Sequence, residues 1–236
     1  MLEIKKYKDK NKKLWDNFVS KSNNGTIFQK QHFINYHINR NFIDNSLLFF
    51  YKKKLVAIFP ASQINENNKK ILYSHPGSSY GGLVVKDNLK FELINQIITK
   101  LDHYCINNKF DSIFFIQSPY IYYCNIDFSL EYCLKWNGFK ESEVYISHYS
   151  KLKTFENPYK LISKRKRRYI KQLDSSKIYN IKQSTNFKEF YTILLESKKN
   201  FKTKPTHSLE ELQIISKLFP NECKLFLSYK DKKVIG

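Results

Sequence analysis

Leu225-Phe226-Leu227-Ser228-Tyr229, Lys230-Asp231-Lys232 and Val234-Ile235 repeat, almost step for step, Leu47-Leu48-Phe49-Phe50-Tyr51, Lys52-Lys53-Lys54 and Leu55-Val56-Ala57-Ile58-Phe59. Each is an apolar run folded back on itself across a short polar turn, as in a hairpin. Upstream of the first, Leu2 to Lys6 reads as a strand, and Leu14, Trp15, Phe18 and Val19 recur at helical spacing. Phe33, Ile34, His37 and Ile38 predict a second helix. Upstream of the other, Tyr179-Asn180-Ile181-Lys182 has strand character. Asn186 with Glu189, and Ser208 with Glu211, form capping boxes. They open helices striped with Phe187, Phe190, Tyr191, Leu194 and Leu195, and with Leu209, Leu212, Ile215 and Leu218, and Pro220 stops the second. The order strand, helix, helix, hairpin occurs twice, which predicts tandem copies of one α/β fold.

The first copy continues with strands at Ile71 to Ser74 and Leu83 to Val85, flanking a glycine-rich segment. A long helix follows, capped by Asp87 or Asn88, with Leu93, Ile94, Ile97, Ile98, Leu101 and Cys105 on one face. Ser112 to Ile116 reads as a buried strand, Phe128 to Trp136 as a helix and Val144 to Tyr149 as an alternating strand. The second copy has no counterpart of Pro60 through Tyr149. It reads as truncated, with unpaired backbone groups and an uncovered apolar face. The expected organisation is a first α/β domain at 1–152, a basic connecting helix at 153–177 and the start of a second domain at 178–236.

The chain is 42% apolar, which permits a sizeable core, and no stretch approaches the roughly 20 apolar residues of a membrane span. The start, Met1-Leu2-Glu3-Ile4-Lys5-Lys6, lacks the apolar segment of a secretory signal. Cys105, Cys124, Cys133 and Cys223 form no C-x-x-C pair, which fits a reducing, cytoplasmic setting. The net charge is +20, but lysine is also what A+T-rich coding favours. Arginine escapes that bias: of four in the chain, Arg165, Arg167 and Arg168 fall within four residues.

That cluster is the leading candidate site. From Lys151 to Gln172 there are nine Lys or Arg against one acid, Glu156. On a helix, Lys164 and Arg168 share a face, as do Arg167 and Lys171, so like charges repel at i,i+4 spacing unless an anion lies against them. Guanidinium forks suit phosphate. Lys164, Arg165, Arg167 and Arg168 are therefore the candidate phosphate ligands; the competing reading is a solvated helix. The second candidate is the segment from His75 to Gly82, where Gly77, Ser78, Gly81 and Gly82 bring backbone amides close to a ligand. His75 is the candidate general base and Tyr80 the acid or orienting hydroxyl. The competing reading is a tight connection with a structural histidine. The aromatic run Tyr120-Ile121-Tyr122-Tyr123 lines a pocket, packs a core edge or stacks bases. His103 and Cys105 have no partners at metal spacing, so no metal is assigned. No nucleophile-elbow pattern supports a covalent hydrolase.

Four segments together resemble the Fem-type (FemAB-like) transferases, a branch of the GNAT-like acyltransferases built from two tandem GNAT folds, and especially members associated with surface polysaccharides. They are Gly25-Thr26-Ile27-Phe28-Gln29, the Leu47 to Ala61 hairpin, Ser74-His75-Pro76-Gly77-Ser78-Ser79-Tyr80-Gly81-Gly82-Leu83, and Lys164-Arg165-Lys166-Arg167-Arg168-Tyr169-Ile170-Lys171. The resemblance implies tandem GNAT-like domains, each a mixed central sheet flanked by helices, with the second copy incomplete. It implies acyl transfer to an amine, with acyl-CoA or aminoacyl-tRNA as donor. The implied acceptor is a nucleotide- or lipid-linked sugar or a muropeptide, in cell-envelope or polysaccharide biosynthesis. Peripheral contact with a membrane is also compatible with the basic surface. One departure stands out: neither copy carries the Q/R-x-x-G-x-G/A loop that holds a CoA pyrophosphate at a helix N-terminus. The alternatives are a nucleic-acid-binding module driven by counterion release, and an inactive truncated remnant.

Overall fold

Pro60 has no amide hydrogen, so a hydrogen-bonded ladder cannot run through it unbroken. A computed structural model of the protein describes residues 1–38, 40–150 and 157–236, and in it the long hairpin around Lys52–Lys53 divides at this proline into two sheets. The strands before the division are β1 (Leu2–Lys6), β2 (Ile43–Asp44), β3 (Leu47–Tyr51) and β4 (Lys54–Phe59). After it come β5 (Ser62–Glu66), β6 (Lys69–Ser74), β7 (Val84–Val85) and β8 (Ser112–Phe115). One sheet has the order β1-β3-β4-β7, all antiparallel, and the other β2-β5-β6-β8, with β8 parallel to β6. Along one edge of the break the chain is stitched shut. Asn45 N–H donates to the Ala61 carbonyl at 2.9 Å, and Ala61 N–H donates to Ser46 Oγ at 3.1 Å. Along the other edge, Ile58 faces Val84 and Ser62 faces Tyr73, so residues 59–61 lie opposite the whole of residues 74–83. The glycine-rich segment is the loop thrown out by that mismatch.

Helices cover both faces of the first sheet. Trp15 and Val19 of α1 (Lys12–Lys21) pack on Leu48, Ile58 and Val84. Ile94, Ile97, Ile98 and Leu101 of α3 (Phe91–Asn107), with Leu130, Cys133 and Leu134 of α4 (Ser129–Trp136), pack on Leu2, Leu47, Phe49 and Ala57. The second helix of the repeat shrinks to α2, Gln31–Ile34. There Asn35 turns its side-chain Nδ2 back onto the Gln31 carbonyl at 2.9 Å, competing with the next helical turn, and His37 stacks on Tyr36 instead. α3 begins after Lys90 and not at Asp87 or Asn88, because Asp87 spends its carboxylate on Asn88 and Asn125. Ser112–Phe115 is half-buried rather than buried. The strand expected at Val144 to Tyr149 does not form: Val144, Tyr145 and Ile146 are exposed, with no neighbouring strand among the described residues to pair them. β5 is an addition to the expected strands, although Asn67 and Asn68, both at positive φ, mark its turn into β6.

The chain divides into compact units Met1–Tyr145 and Ile146–Gly236. The expected boundary between Leu152 and Lys153 lies outside the described residues. The second unit holds α5 (Lys164–Ser176), β9 (Tyr179–Ser184), α6 (Phe187–Asn200), α7 (Leu209–Leu218), β10 (Leu225–Lys230) and β11 (Lys233–Val234), with sheet order β11-β10-β9. Ser208 and Glu211 form the full capping box; Asn186 makes only its half, accepting from Glu189 N–H. Its strand register reproduces that of the first unit, but one residue along from the expected alignment: Phe226, not Leu225, takes the place of Leu47. Leu2 pairs with Tyr51 and Ile4 with Phe49, just as Tyr179 pairs with Lys230 and Ile181 with Ser228. Leu48 and Leu227, at matching positions, are both fully buried under the helices. The opposite face differs. Tyr179, Ile181 and Phe226, which correspond to Leu2, Ile4 and Leu47, remain 39%, 70% and 58% exposed.

The hairpin turn between β3 and β4 places two lysines at positive φ, Lys52 at 48° and Lys53 at 63°, a conformation that costs an L-residue about 1–2 kcal/mol. Asn-Gly is the pair that prefers such a turn. Replacing Lys52→Asn together with Lys53→Gly should stabilise the first unit by about 1–2 kcal/mol. Trp15 and Trp136 both lie in that unit, so the denaturant midpoint of tryptophan fluorescence should rise; an unchanged midpoint would exclude the turn conformation described.

Candidate functional site

The looped-out segment is held from both sides. Gly82 N–H donates to Ser74 Oγ, and Gly81 N–H to the Ile116 carbonyl at 2.8 Å. A Cβ on Gly81 would fall 2.4 Å from the Ser74 carbonyl oxygen, so only glycine permits this closeness. Gln29, fully buried, crosslinks the loop to the rest. Its Nε2 donates to the Gly81 carbonyl and to Ser118 Oγ, both at 2.9 Å, and its Oε1 accepts from Thr26 N–H and Thr26 Oγ1 at 2.7 Å. Ser78 Oγ donates to the Phe28 carbonyl at 3.2 Å.

Rings buttress the same loop. Phe33 meets Phe28, Phe28 meets Tyr80, and Tyr80 meets Tyr122; on the other flank Tyr36, His37, Phe42 and His75 form a second chain. Gly77, at φ 84°, lies so close to His37 that a Cβ would sit 2.4 Å from its Nε2. The aromatic run thus contributes Tyr122 to the loop's edge. Gln29 and Phe28 belong to the first of the segments that carry the family resemblance. His37 and Phe42 have no such signal in the sequence, since their contacts join distant segments.

The two proton-handling candidates sit in different surroundings. His75 is 2% exposed, its Nδ1–H donates to the Pro76 carbonyl at 2.8 Å, and desolvation holds its pKa down at about 4. Its imidazole is therefore neutral at physiological pH. Tyr80 is half-buried, and burial, with the Tyr122 hydroxyl beside it, pushes its pKa upward. It holds its proton as a donor. Gln117 is the unpartnered member. Its Oε1 lies where a Cβ on Gly82 would be, and neither end of its amide has a hydrogen-bond partner among the described residues.

Lys164, Arg165, Arg167 and Arg168 belong to the other unit, on α5. Ser163 caps this helix through Lys166 N–H, no residue of it is buried, and no acid lies in its first turn. Arg165 rests over the Tyr169 ring at 5.8 Å, and no ion pair among the described residues involves the three arginines. Lys151, Lys153 and Glu156 of the basic run lie outside the described residues. No helix among the described residues is long and apolar enough to cross a membrane.

No protein-family model and no curated protein matches the chain. Among solved structures it is similar to FemX, with a TM-score of 0.62 at 14% identity over 96% of this chain. The fold is the mixed α/β fold of FemX. The chain spans 57% of the length of FemX. Wild-type TTHA1254 from Thermus thermophilus is 8% identical, covering 63% of this chain and 96% of that one at a TM-score of 0.36. The aminoglycoside acetyltransferase meta-AAC0020, from an uncultured soil metagenomic sample, is 16% identical, covering 64% and 96% at 0.40. Both superpose too loosely to refine the fold further.

The packing of the loop sets two measurable stabilities. Gln29→Leu removes both acceptor and donor from buried groups and should destabilise the first unit by roughly 2–4 kcal/mol, whereas Gln117→Met should be neutral or mildly stabilising in the same denaturation assay. The His75 pKa lies below its ordinary 6.5, so on acidification the unfolded chain takes the proton first. The associated stability is present above pH 6.5 and lost as the pH falls toward 4, by roughly 3 kcal/mol. His75→Asn, which keeps a donor for the Pro76 carbonyl, should flatten stability over that window; an unchanged slope would mean His75 is not the titrating group.

Proposed function

We propose that this protein is an N-acyltransferase of the Fem type, delivering an acyl or aminoacyl group to an amine of a phosphate-bearing cell-envelope precursor. The observation that carries this reading is the tandem fold shared with FemX over nearly the whole chain. In such a transfer the amine nitrogen attacks the donor carbonyl carbon. The C–S bond to CoA or the C–O bond to tRNA then breaks, and the leaving sulfur or oxygen takes up the proton the amine gives away. Orientation and a preorganised donor for the carbonyl oxygen supply most of the acceleration.

The loop divides these tasks. We assign Tyr80, half-exposed and protonated, to orienting the acceptor or donating to it. His75, buried and committed to Pro76, is the neutral base candidate and shapes the loop from beneath. Gly77, Ser78, Gly81 and Gly82 are assigned to bring backbone close to a ligand of the first unit; Lys164, Arg165, Arg167 and Arg168, in the second unit, are separately assigned to phosphate. The residues present do not fit a CoA pyrophosphate cradle. The connection from β7 into α3, Lys86 to Lys90, has no glycine, and no helix among the described residues opens directly after a glycine-rich loop. The donor is therefore assigned only as acyl-CoA or aminoacyl-tRNA, since in the second unit the corresponding stretch would follow Gly236.

Incubation with a nucleotide-linked muropeptide and either donor should give a mass increase of one acyl or aminoacyl group on the acceptor. Binding of the same acceptor, followed by calorimetry, should weaken at least about tenfold when Arg165, Arg167 and Arg168 are changed to alanine, as expected for lost charge-assisted bonds. Unchanged affinity together with no modified acceptor from either donor would overturn the reading.

A further inference from the structure

Six of the nine residues from Lys5 to Lys13 are lysine, against about one in six over the whole chain, and Asp9 is the one acid among them. Coding bias spreads lysine evenly and does not explain that local density. The structure gathers part of this run around a concavity of about 480 Å³ in the first unit. Lys5, Lys6, Lys8 and Lys10 form its rim, and Leu48 and Phe50 lie in its wall. The groove shares no residue with the glycine-rich loop or with α5, so it stands apart from the transferase reading.

The lining selects among anionic partners. Lysines are flexible point charges and lack the fixed fork that reads a particular phosphate geometry. Phe50, under Lys5 Nζ at 5.1 Å, is the one ring in the lining, so the groove has no second aromatic face on which successive nucleobases could stack. What the groove offers is an apolar patch ringed by cations, which complements a phosphate headgroup attached to an apolar stem. Just beyond it, Leu14 is exposed on the first turn of α1. We propose that this groove docks the protein on an anionic phospholipid leaflet, the lysines against headgroup phosphates and the half-buried Phe50 against the glycerol region. Lys5 also meets Glu3 at 3.6 Å and Lys6 donates to Asn45, but both lysines are exposed and able to reorient.

The test is partitioning of the whole chain onto phosphatidylserine–phosphatidylcholine vesicles, with pure phosphatidylcholine vesicles and a mixed-sequence RNA oligonucleotide as controls. A lysine near an anionic surface is worth about fivefold in partitioning. Changing Lys5, Lys6, Lys8 and Lys10 to serine should therefore weaken vesicle binding roughly a hundredfold or more. The corresponding Lys→Arg variant should keep it. Serine at Lys90, Lys100, Lys109 and Lys140, four exposed lysines outside the groove, removes the same charge and should cost far less. Equal losses in both serine variants, or no preference for anionic vesicles, would overturn the proposal. So would a groove variant that loses RNA while keeping vesicles.

Discussion

A proline in the middle of a long strand governs how this protein is arranged. Pro60 cannot donate to a ladder, so the hairpin that carries it serves two sheets instead of one. The opposing edge has to span the break, and it does so with the extended loop from Ser74 to Leu83. A loop of that length over a gap that short needs positions where backbone passes close to backbone. Gly81 and Gly82 occupy them, and Gln29 ties the result to the start of the chain. The site is thus a consequence of strand geometry, and its rings and hydroxyls are arranged around a backbone feature.

Strong periodicity makes most of the fold legible in the sequence. The stripes of α1, α3, α4, α6 and α7 and the apolar runs of β3, β4 and β10 are all readable because burial on one face enforces them. The failures share a cause. α2 ends early because Asn35 bonds back to its own helix, and residues 144–149 stay out of a sheet because no described partner strand reaches them. Both outcomes depend on a competing or missing neighbour that local pattern does not encode. At the site, the glycines and His75 are visible as residue types. The aromatic buttress and the unpartnered amide of Gln117 arise only when segments 28–42, 75–82 and 117–122 come together.

Charge needs the same separation of pattern from background. Most of the lysines lie singly on the surface and carry little information. Among the groupings that depart from that background are the arginine-bearing face of α5, with no carboxylate answering it among the described residues, and the lysine-rimmed groove beside β1. Their chemistry differs. Forked guanidinium groups on a capped helix suit a defined diphosphate, whereas mobile ammonium groups around an apolar patch suit a diffuse anionic surface.

The central claim is that one architectural unit begins twice, in the same register. Backbone nuclear Overhauser contacts report that register directly. Proximity of Ile181 to Ser228 and of Lys182 to Leu227, matching Ile4 with Phe49 and Lys5 with Leu48, is the predicted result. A second-unit pairing offset by even one residue would put Leu227 on the opposite face and contradict the account.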